Sequence, residues 1–442
     1  MLFSKNEVEF ISVPSNSAMK YKEKKYRILM FATDSFPPIL PEAIVTSKLL
    51  LAMQKKGWDV NVVTSKQIAD GTKYPYVEHS VWHPIVSKIY PIYSPDEKNI
   101  ANIIKRVMTI FKTGHLTDGL AWVKESIKQA EYLAGKKRFD IILSRSYCEY
   151  SHLPAMYLSS KWNVPWIANW NDPVPLTRFL PPRGAGLDGR IKWYTQRFLN
   201  AVSLNASWHT FPSERLRRYM HEYLPFDMLK SSVIPHILLD NLIPERADIV
   251  SNKFVLCHAG GLNPKSDRDP TLFLMGLRQF IEANDAKDSI MVKFVGCNSA
   301  EISPIVTMLG LCNNVTVDGF VAYEDTLAIM AEATVLFLIE ESAKEGIYLP
   351  SKFVDYVQTG RPVLAISPRH GTASDLLYKY GGGLAVDCTS YNDIADGINK
   401  LYSSWESGTL SMDYNVSSLS EVFSEETVLT QYEDTFERIL SK

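Results

Sequence analysis

Arg27-Ile-Leu-Met-Phe-Ala-Thr33 and Trp58-Asp-Val-Asn-Val-Val-Thr64 are two short apolar runs of buried-strand length. Between them Ala43 to Lys56 places Ile44, Ser47, Leu50, Leu51 and Gln54 at helical spacing. Gly57 closes that helix, since a glycine just past the last periodic residue takes the left-handed turn that ends one. Strand, helix and strand in this order need a parallel crossover, the seed of a doubly wound sheet. The same pattern predicts a strand over Phe139–Ser144, a helix over His152–Trp162, a strand over Val164–Asn169, and short strands over Ala206–Pro212 and Ser231–Pro235.

From Lys253 the series begins again. Strands are predicted at Phe254–His258, Ile290–Val295, Val315–Val317, Thr334–Ile339 and Pro362–Ile366. Helices are predicted near Pro270–Asn284, Tyr323–Ala333, Pro350–Thr359 and Asn392–Tyr402. The fold class is therefore α/β, with two Rossmann-like doubly wound domains facing a central cleft. Residues 1–25 form an N-terminal extension ending in the basic run Lys20, Lys22, Lys24 and Lys25. Residues 26–240 form the first domain and 241–420 the second, and within 421–442 a helix over Glu421–Leu440 would return to the first. Ligands of open parallel sheets lie at the carboxyl ends of strands, so the chemistry is expected in the cleft.

Composition narrows the class. The 442 residues are 46% hydrophobic and 22% charged, with ordinary glycine and proline, which excludes disordered and fibrous chains. No apolar run approaches the roughly 20 residues that span a bilayer. Five scattered cysteines write neither a disulfide framework nor a zinc cluster, and a reducing cytoplasm is the expected setting. The net charge of −2 hides an asymmetry: residues 1–240 carry 32 Lys and Arg against 21 Asp and Glu, and residues 241–442 carry 15 against 28. The first half should face an anionic partner.

Several familiar sites are missing. No G-x-G-x-x-G follows Thr33 directly, and G-x-x-x-x-G-K-S/T, H-E-x-x-H and G-x-S-x-G do not occur. Asp267-Arg268-Asp269 has the form of a cation-binding pair, but it stands between a glycine turn and a helix, where carboxylates serve as caps, and capping is the preferred reading. The informative stretch is Glu340-Glu-Ser-Ala-Lys-Glu-Gly-Ile-Tyr-Leu-Pro-Ser-Lys-Phe-Val-Asp-Tyr356. A strand ends near Ile339 and a helix begins near Ser351, presenting free N–H groups and a partial positive charge suited to a phosphate. Lys352 adds a full charge there, and Asp355 lies on the same helical face, where its carboxylate can accept hydrogen bonds from two ribose hydroxyls. A capped surface helix with a Lys/Asp pair fits the same residues.

The ordered succession of Gly260-Gly261, Arg268-Asp-Pro270, Phe294-Val-Gly296, Asp318-Gly-Phe-Val321, Pro350-Ser-Lys352 and Asp355-Tyr-x3-Gly-Arg-Pro-Val363 resembles the retaining GT-B glycosyltransferases of the glycosyltransferase 4 type. In the first half, Phe36-Pro-Pro38, Gly57-Trp-Asp-Val60, Asp118-Gly-Leu-Ala-Trp122 and Pro165-Trp-Ile-Ala-x-Trp-Asn-Asp-Pro173 look like that group's acceptor domain. The resemblance covers about residues 26 to 402. It implies a nucleotide diphosphate sugar held mainly by the second domain. Arg268, Ser351 and Lys352 would meet the diphosphate, Asp355 the ribose, Phe320 and Val321 the base, and Glu345 the donor sugar. Pro38, Asn171 and Asp172 would meet the acceptor, with Asp172 orienting its hydroxyl or accepting its proton. An Asp-Pro turn is the plainer role for Asp172. Fixed cations and a helix terminus stabilise charge on the leaving diphosphate, so neither a cofactor nor a metal is expected beyond the donor.

The chain departs from the family at three places. The usual G-R-L reads Gly260-Gly261-Leu262, so Lys352 must do more. The E-x7-E pattern is broken, with Asp355 in the second place and Glu345 ten residues before it, and Glu340 or Glu341 stand as substitutes. Pro37-Pro38 is followed by Ile39-Leu-Pro-Glu42 where the family often has Gly-Gly. His152 fits a helix residue and an active one equally, and His236 after Ile234-Pro235 stands as a marker of the interdomain crossing.

Ile100 to Lys112 reads as a basic amphipathic helix, with Ile100, Ile103, Ile104, Val107, Met108 and Phe111 on one face and Lys105, Arg106 and Lys112 outside it. The segment from Arg178 to Arg197 is also basic. The expectation is a cytoplasmic hexosyltransferase in surface polysaccharide assembly, peripheral on the inner face of the plasma membrane, with a saccharide or polyprenyl-diphosphate-linked acceptor and no nucleic acid partner. The rival readings are a catalytically degenerate binding or scaffold protein of the same fold and a GT-B nucleotide-sugar epimerase.

Overall fold

In a computed structural model, the residues described are 25–35, 40–66, 82–93, 100–146, 148–173, 193–239, 242, 252–262, 268–319 and 321–441. The first sheet has seven parallel strands in the order β3-β2-β1-β4-β5-β6-β7: β1 (Arg27–Ala32), β2 (Asp59–Lys66), β3 (Ile89–Tyr93), β4 (Ile141–Ser146), β5 (Trp166–Trp170), β6 (Trp208–Phe211) and β7 (Ser231–Val233). The second has six in the order β10-β9-β8-β11-β12-β13: β8 (Phe254–Ala259), β9 (Ile290–Val295), β10 (Val315–Asp318), β11 (Val335–Ile339), β12 (Val363–Ser367) and β13 (Gly383–Asp387). The central strands are buried along their whole length because helices cover both faces, which is why they read as unbroken apolar runs rather than alternating ones.

Strand order reverses at β1/β4 in one sheet and at β8/β11 in the other, and a crevice opens at the carboxyl end of each such switch point. Side chains tie the two layers together. Lys48, on the Pro41–Lys55 helix, reaches Asp355 at 2.5 Å and Gln358 at 2.8 Å. Trp82 Nε1 donates to Glu324 at 3.1 Å, and Ser213 Oγ donates to the Ile347 carbonyl at 2.7 Å. The Glu425–Leu440 helix lies against the first sheet's layer, where Phe436 meets Tyr26 and Trp58 at ring separations of 5.1 and 5.2 Å and Glu433 bonds Lys56 at 2.7 Å.

The single helix expected over Glu421–Leu440 is two. Ser424 breaks it, its Oγ accepting from the Thr427 amide at 3.2 Å as the cap of a new helix. Strands β3 and β13 were not expected. In β13 the run Gly381-Gly382-Gly383 reads as a turn, yet Gly383 pairs with Val363, and a Cβ there would lie 1.9 Å from the Val363 carbonyl oxygen. Its glycine serves close strand approach.

Candidate functional site

A cavity of about 360 Å³ lies between the carboxyl edges of the two sheets. From the first domain its walls are Asp34 after β1, Leu40 to Val45 at the start of the Pro41–Lys55 helix, Asn171 and Asp172 after β5, and His236. From the second they are Arg268, Leu338 to Glu341 at the end of β11, and Tyr348 to Lys352. A wider depression of about 930 Å³ touches Thr334 and Pro362, the residues just before β11 and β12. It sits at the amino edge of the second sheet, away from where parallel sheets place their ligands.

The second domain's wall is cationic at the helix start and carries Glu340 and Glu341 at the end of β11. Pro350 ends an extended segment and the Ser351–Gln358 helix begins, so its first turn and Lys352 open on the cavity beside Arg268. Lys352 Nζ stands 3.4 Å from His258 Nε2, while His258 Nδ1 lies 3.0 Å from the Phe337 carbonyl. The network assigns the ring proton to Nδ1, leaving Nε2 to accept from the lysine. Burial, and secondly Lys352, hold His258 well below the usual imidazole range. Burial, then repulsion from Arg268, push the Lys352 ammonium down to about 8. Gly260, at φ +98°, makes room for this arrangement: a Cβ there would meet Lys352 Nζ at 3.0 Å. Two cations crowded against one space are what an anion would relieve.

The first domain's wall is acidic. Glu42, in the first turn of its helix, accepts from Asn171 Nδ2 through both oxygens at 2.6 and 2.8 Å, and Arg145 Nε lies 3.4 Å away. Burial pushes its carboxyl up to about 7, against the pull of Arg145, with Asp172 raising it further. A carboxyl that titrates near neutrality, hydrogen-bonded in place, can hold or take a proton. His236 also lines the cavity, its pKa pushed down to about 3, chiefly by burial.

Of the residues named from the sequence, Arg268, Ser351, Lys352, Asn171 and Asp172 line this cavity, as do Glu340 and Glu341. Asp355 stands behind it, its Oδ1 accepting from Lys48 and, at 2.9 Å, from Tyr323 Oη. Glu345 pairs with Arg215, which also holds Asp375 at 2.6 Å. Val321 is half-buried against the core. Pro38 and Phe320 lie outside the described residues, as do residues 178–192 of the second basic segment. Asp269 caps its turn, accepting from the Thr271 amide and hydroxyl at 2.9 and 2.6 Å. His152 is buried in the first domain, bonded to Ser144 Oγ at 2.7 Å.

Sequence reasoning passed over Glu42, Lys48 and His258. An acidic residue in a first helical turn is ordinary, so Glu42 carried no signal beyond replacing a glycine. Lys48 did carry one: it falls one turn after Ile44 and one before Leu51, on the apolar face, where an ammonium needs a partner. A histidine inside the strand Phe254–His258 is a similar mark.

No protein-family model and no curated protein sequence matches the chain. Solved structures do. The Anabaena protein HepE, solved with UDP and glucose, is 14% identical with a TM-score of 0.64, over 93% of this chain and 100% of that one. Sucrose-phosphate synthase from Thermosynechococcus elongatus is 13% identical with a TM-score of 0.66, over 95% and 100%. A glycosyltransferase from Rickettsia africae is 14% identical with a TM-score of 0.64, over 94% and 99%. The likeness spans both sheets, and the fold is GT-B.

Proposed function

We propose that the chain is a glycosyltransferase that moves a hexosyl group from a nucleotide diphosphate sugar to a saccharide or polyprenyl-diphosphate-linked acceptor, with retention at the anomeric carbon. One observation carries the reading: Arg268, Ser351 and Lys352 converge on one wall of a cavity whose opposite wall is Glu42, Asn171 and Asp172. The bond from anomeric carbon to phosphate oxygen breaks, and the negative charge that develops falls on the oxygens facing Arg268, Lys352 and the helix start. The acceptor oxygen forms the new bond, and its proton passes to the departing diphosphate. Asp172 orients that hydroxyl. These cations supply the neutralisation without a metal, and Glu340 or Glu341 takes the sugar-facing place suggested for Glu345. HepE, solved with UDP-glucose, supports the donor class by its shared fold.

The setting that goes with this reading is surface polysaccharide biosynthesis on the cytoplasmic side of the plasma membrane. Among the described residues no helix is long and apolar enough to cross a membrane. A second stereochemical reading is favoured by one feature, the carboxyl of Glu42 held near 7 beside Asp172, which would suit a base for inversion.

The experiment is a thermal-shift screen of the purified chain against UDP-, GDP- and ADP-sugars, followed by transfer assays with the stabilising donor and determination of the product anomer. Stabilisation by one donor class with turnover supports transfer. Stabilisation without transfer or hydrolysis points to a binding protein, and no stabilisation by any nucleotide sugar overturns the proposal.

A further inference from the structure

The Ile100–Thr113 helix is mounted with its apolar side outward. Ile103, Ile104, Val107 and Met108 are about half exposed and Phe111 is 87% exposed, in one stripe along the helix. The opposite side rests on the Leu120–Ala134 helix: Thr109 is buried there, and Lys105, Arg106 and Ile110 are half-buried. An amphipathic helix of a globular domain ordinarily turns its apolar stripe to the core, so this orientation calls for an external apolar phase. Cations edge the stripe, Lys112 among them also pairing with Glu131 of the neighbouring helix at 3.6 Å. Lys105, Arg106 and Lys112 belong to the helix, and Lys124 Nζ from the neighbouring helix lies 3.9 Å from Met108 Sδ. No acidic residue occurs between Ile100 and Thr113.

A protein partner would need acids opposite the cations and an apolar surface between them, whereas an anionic bilayer supplies both at every point of its surface. The helix runs across the first domain: its far end at Thr113 shares a depression with Pro165 and Ser207, at the amino edge of the first sheet. The chain leaves β3 at Tyr93, on the carboxyl edge of the sheet that borders the cavity, and enters the helix seven residues later.

We propose that this face docks the protein on an anionic bilayer, with Phe111, Met108, Val107, Ile104 and Ile103 entering the headgroup and upper acyl region and Lys105, Arg106, Lys112 and Lys124 meeting lipid phosphates. The inference rests on the lipid-acceptor form of the proposed function and deepens it by assigning the surface through which the first domain meets the membrane. Docking itself does not depend on catalysis.

The test is flotation of the full chain with neutral phosphatidylcholine vesicles and with vesicles containing about 30 mol% phosphatidylglycerol, at about 0.1 M and about 0.5 M salt, where charge screening differs. Binding to the anionic vesicles at low salt should exceed neutral binding by roughly tenfold or more and fall at high salt. The double variant Ile104→Ser with Phe111→Ser should lose roughly tenfold of it while keeping its melting temperature and its shift with nucleotide sugar. As an independent readout, Phe111→Trp should show blue-shifted emission on anionic vesicles alone. Equal or absent binding to both vesicle types overturns the proposal, as does undiminished binding of the double variant. A lower melting temperature or a changed oligomeric size of that variant also overturns it, since the face would then be covered by this chain or a second copy. Nucleotide stabilisation in the same samples separates the two readings: loss of docking with retained stabilisation leaves the transferase standing, and the reverse leaves the docking face standing.

Discussion

The two walls of the cavity are built from the same kind of element, a helix start beside a parallel strand end, and differ in charge: the first domain's carries Asp34, Glu42 and Asp172, while the second's sets Arg268 and Lys352 beside Glu340 and Glu341. On the second domain's side the Ser351–Gln358 helix brings Lys352 next to Arg268. On the first domain's side the Pro41–Lys55 helix brings Glu42 next to Asn171 and Asp172. Burial acts on both, in opposite senses: it pushes Lys352 down to about 8 and Glu42 up to about 7, so each group is less charged than it would be in water. The difference teaches how one scaffold divides labour. In the proposed reaction the cations at the helix start would receive the leaving anion, and the acidic wall would hold the acceptor hydroxyl, with Glu42 as its base only in the inverting form.

The comparison breaks most sharply at Lys352. Lys352→Ala should lower turnover by roughly 10²- to 10³-fold, the scale of one lost donor to developing charge, and remove nucleotide-sugar stabilisation without unfolding the domain. Retained turnover and stabilisation would detach the cationic wall from the donor.

The tie between the walls comes next. Lys48 and Asp355 form a nearly buried pair, with side-chain exposures of 3% and 14%, and removing either partner of such a pair costs about 3 kcal/mol. Lys48→Met and Asp355→Asn should therefore both lower the denaturation midpoint. If Asp355 also holds the ribose, only Asp355→Asn loses nucleotide stabilisation; equal loss in both variants would reduce Asp355 to a domain tie.

Glu42→Gln sharpens the acidic wall. It should slow transfer by roughly 10- to 10²-fold, the range of one general acid–base group, and leave donor binding intact. The pH dependence has a definite sign. The native carboxyl pKa is raised from 4.5 to about 7, so the native state binds the proton more tightly than the unfolded chain. Its stability contribution is full below pH 4.5 and is lost as pH rises through about 7. Melting temperatures between pH 5 and pH 8 should fall less in Glu42→Gln than in the parent, and parallel curves would remove the assignment.

The smallest effect is expected at Glu345, whose partner Arg215 is also held by Asp375. With Glu345 39% exposed on its side chain, Glu345→Gln should change stability by no more than about 1 kcal/mol. Turnover within about threefold of the parent is expected if Glu340 or Glu341 faces the donor sugar. A loss as large as that of Lys352→Ala would restore Glu345 to the reacting centre.

Legibility followed locality. The central strands were readable because strands buried on both faces are continuous apolar runs, and Ile290–Val295 is observed with the predicted limits. Edge strands divided: β7 and β10 were read, whereas β3 and β13 were not, and β13 is only partly buried and begins at the last of three glycines, so neither periodicity nor composition marked it. In the site, Ser351 and Lys352 were legible because they open a helix after a strand end, whereas Arg268, in a stretch read as caps, was named only through the family resemblance. Glu42 was not, because an acid in a first helical turn is ordinary, and His258 was marked only as a histidine inside a strand, with no sign of the lysine and carbonyl it meets.

The sequence by itself determined two parallel α/β units, the polarity of their strand ends and the presence of a cation at the start of the Ser351–Gln358 helix, all of which follow from short-range period and turn chemistry. Only the tertiary structure decided that Lys48 ties Asp355, that Glu42 and Lys352 face each other's walls with shifted titrations, and that the Ile100–Thr113 helix turns its apolar stripe outward. Those outcomes depend on how distant segments exclude water from one another, and no local pattern encodes that exclusion.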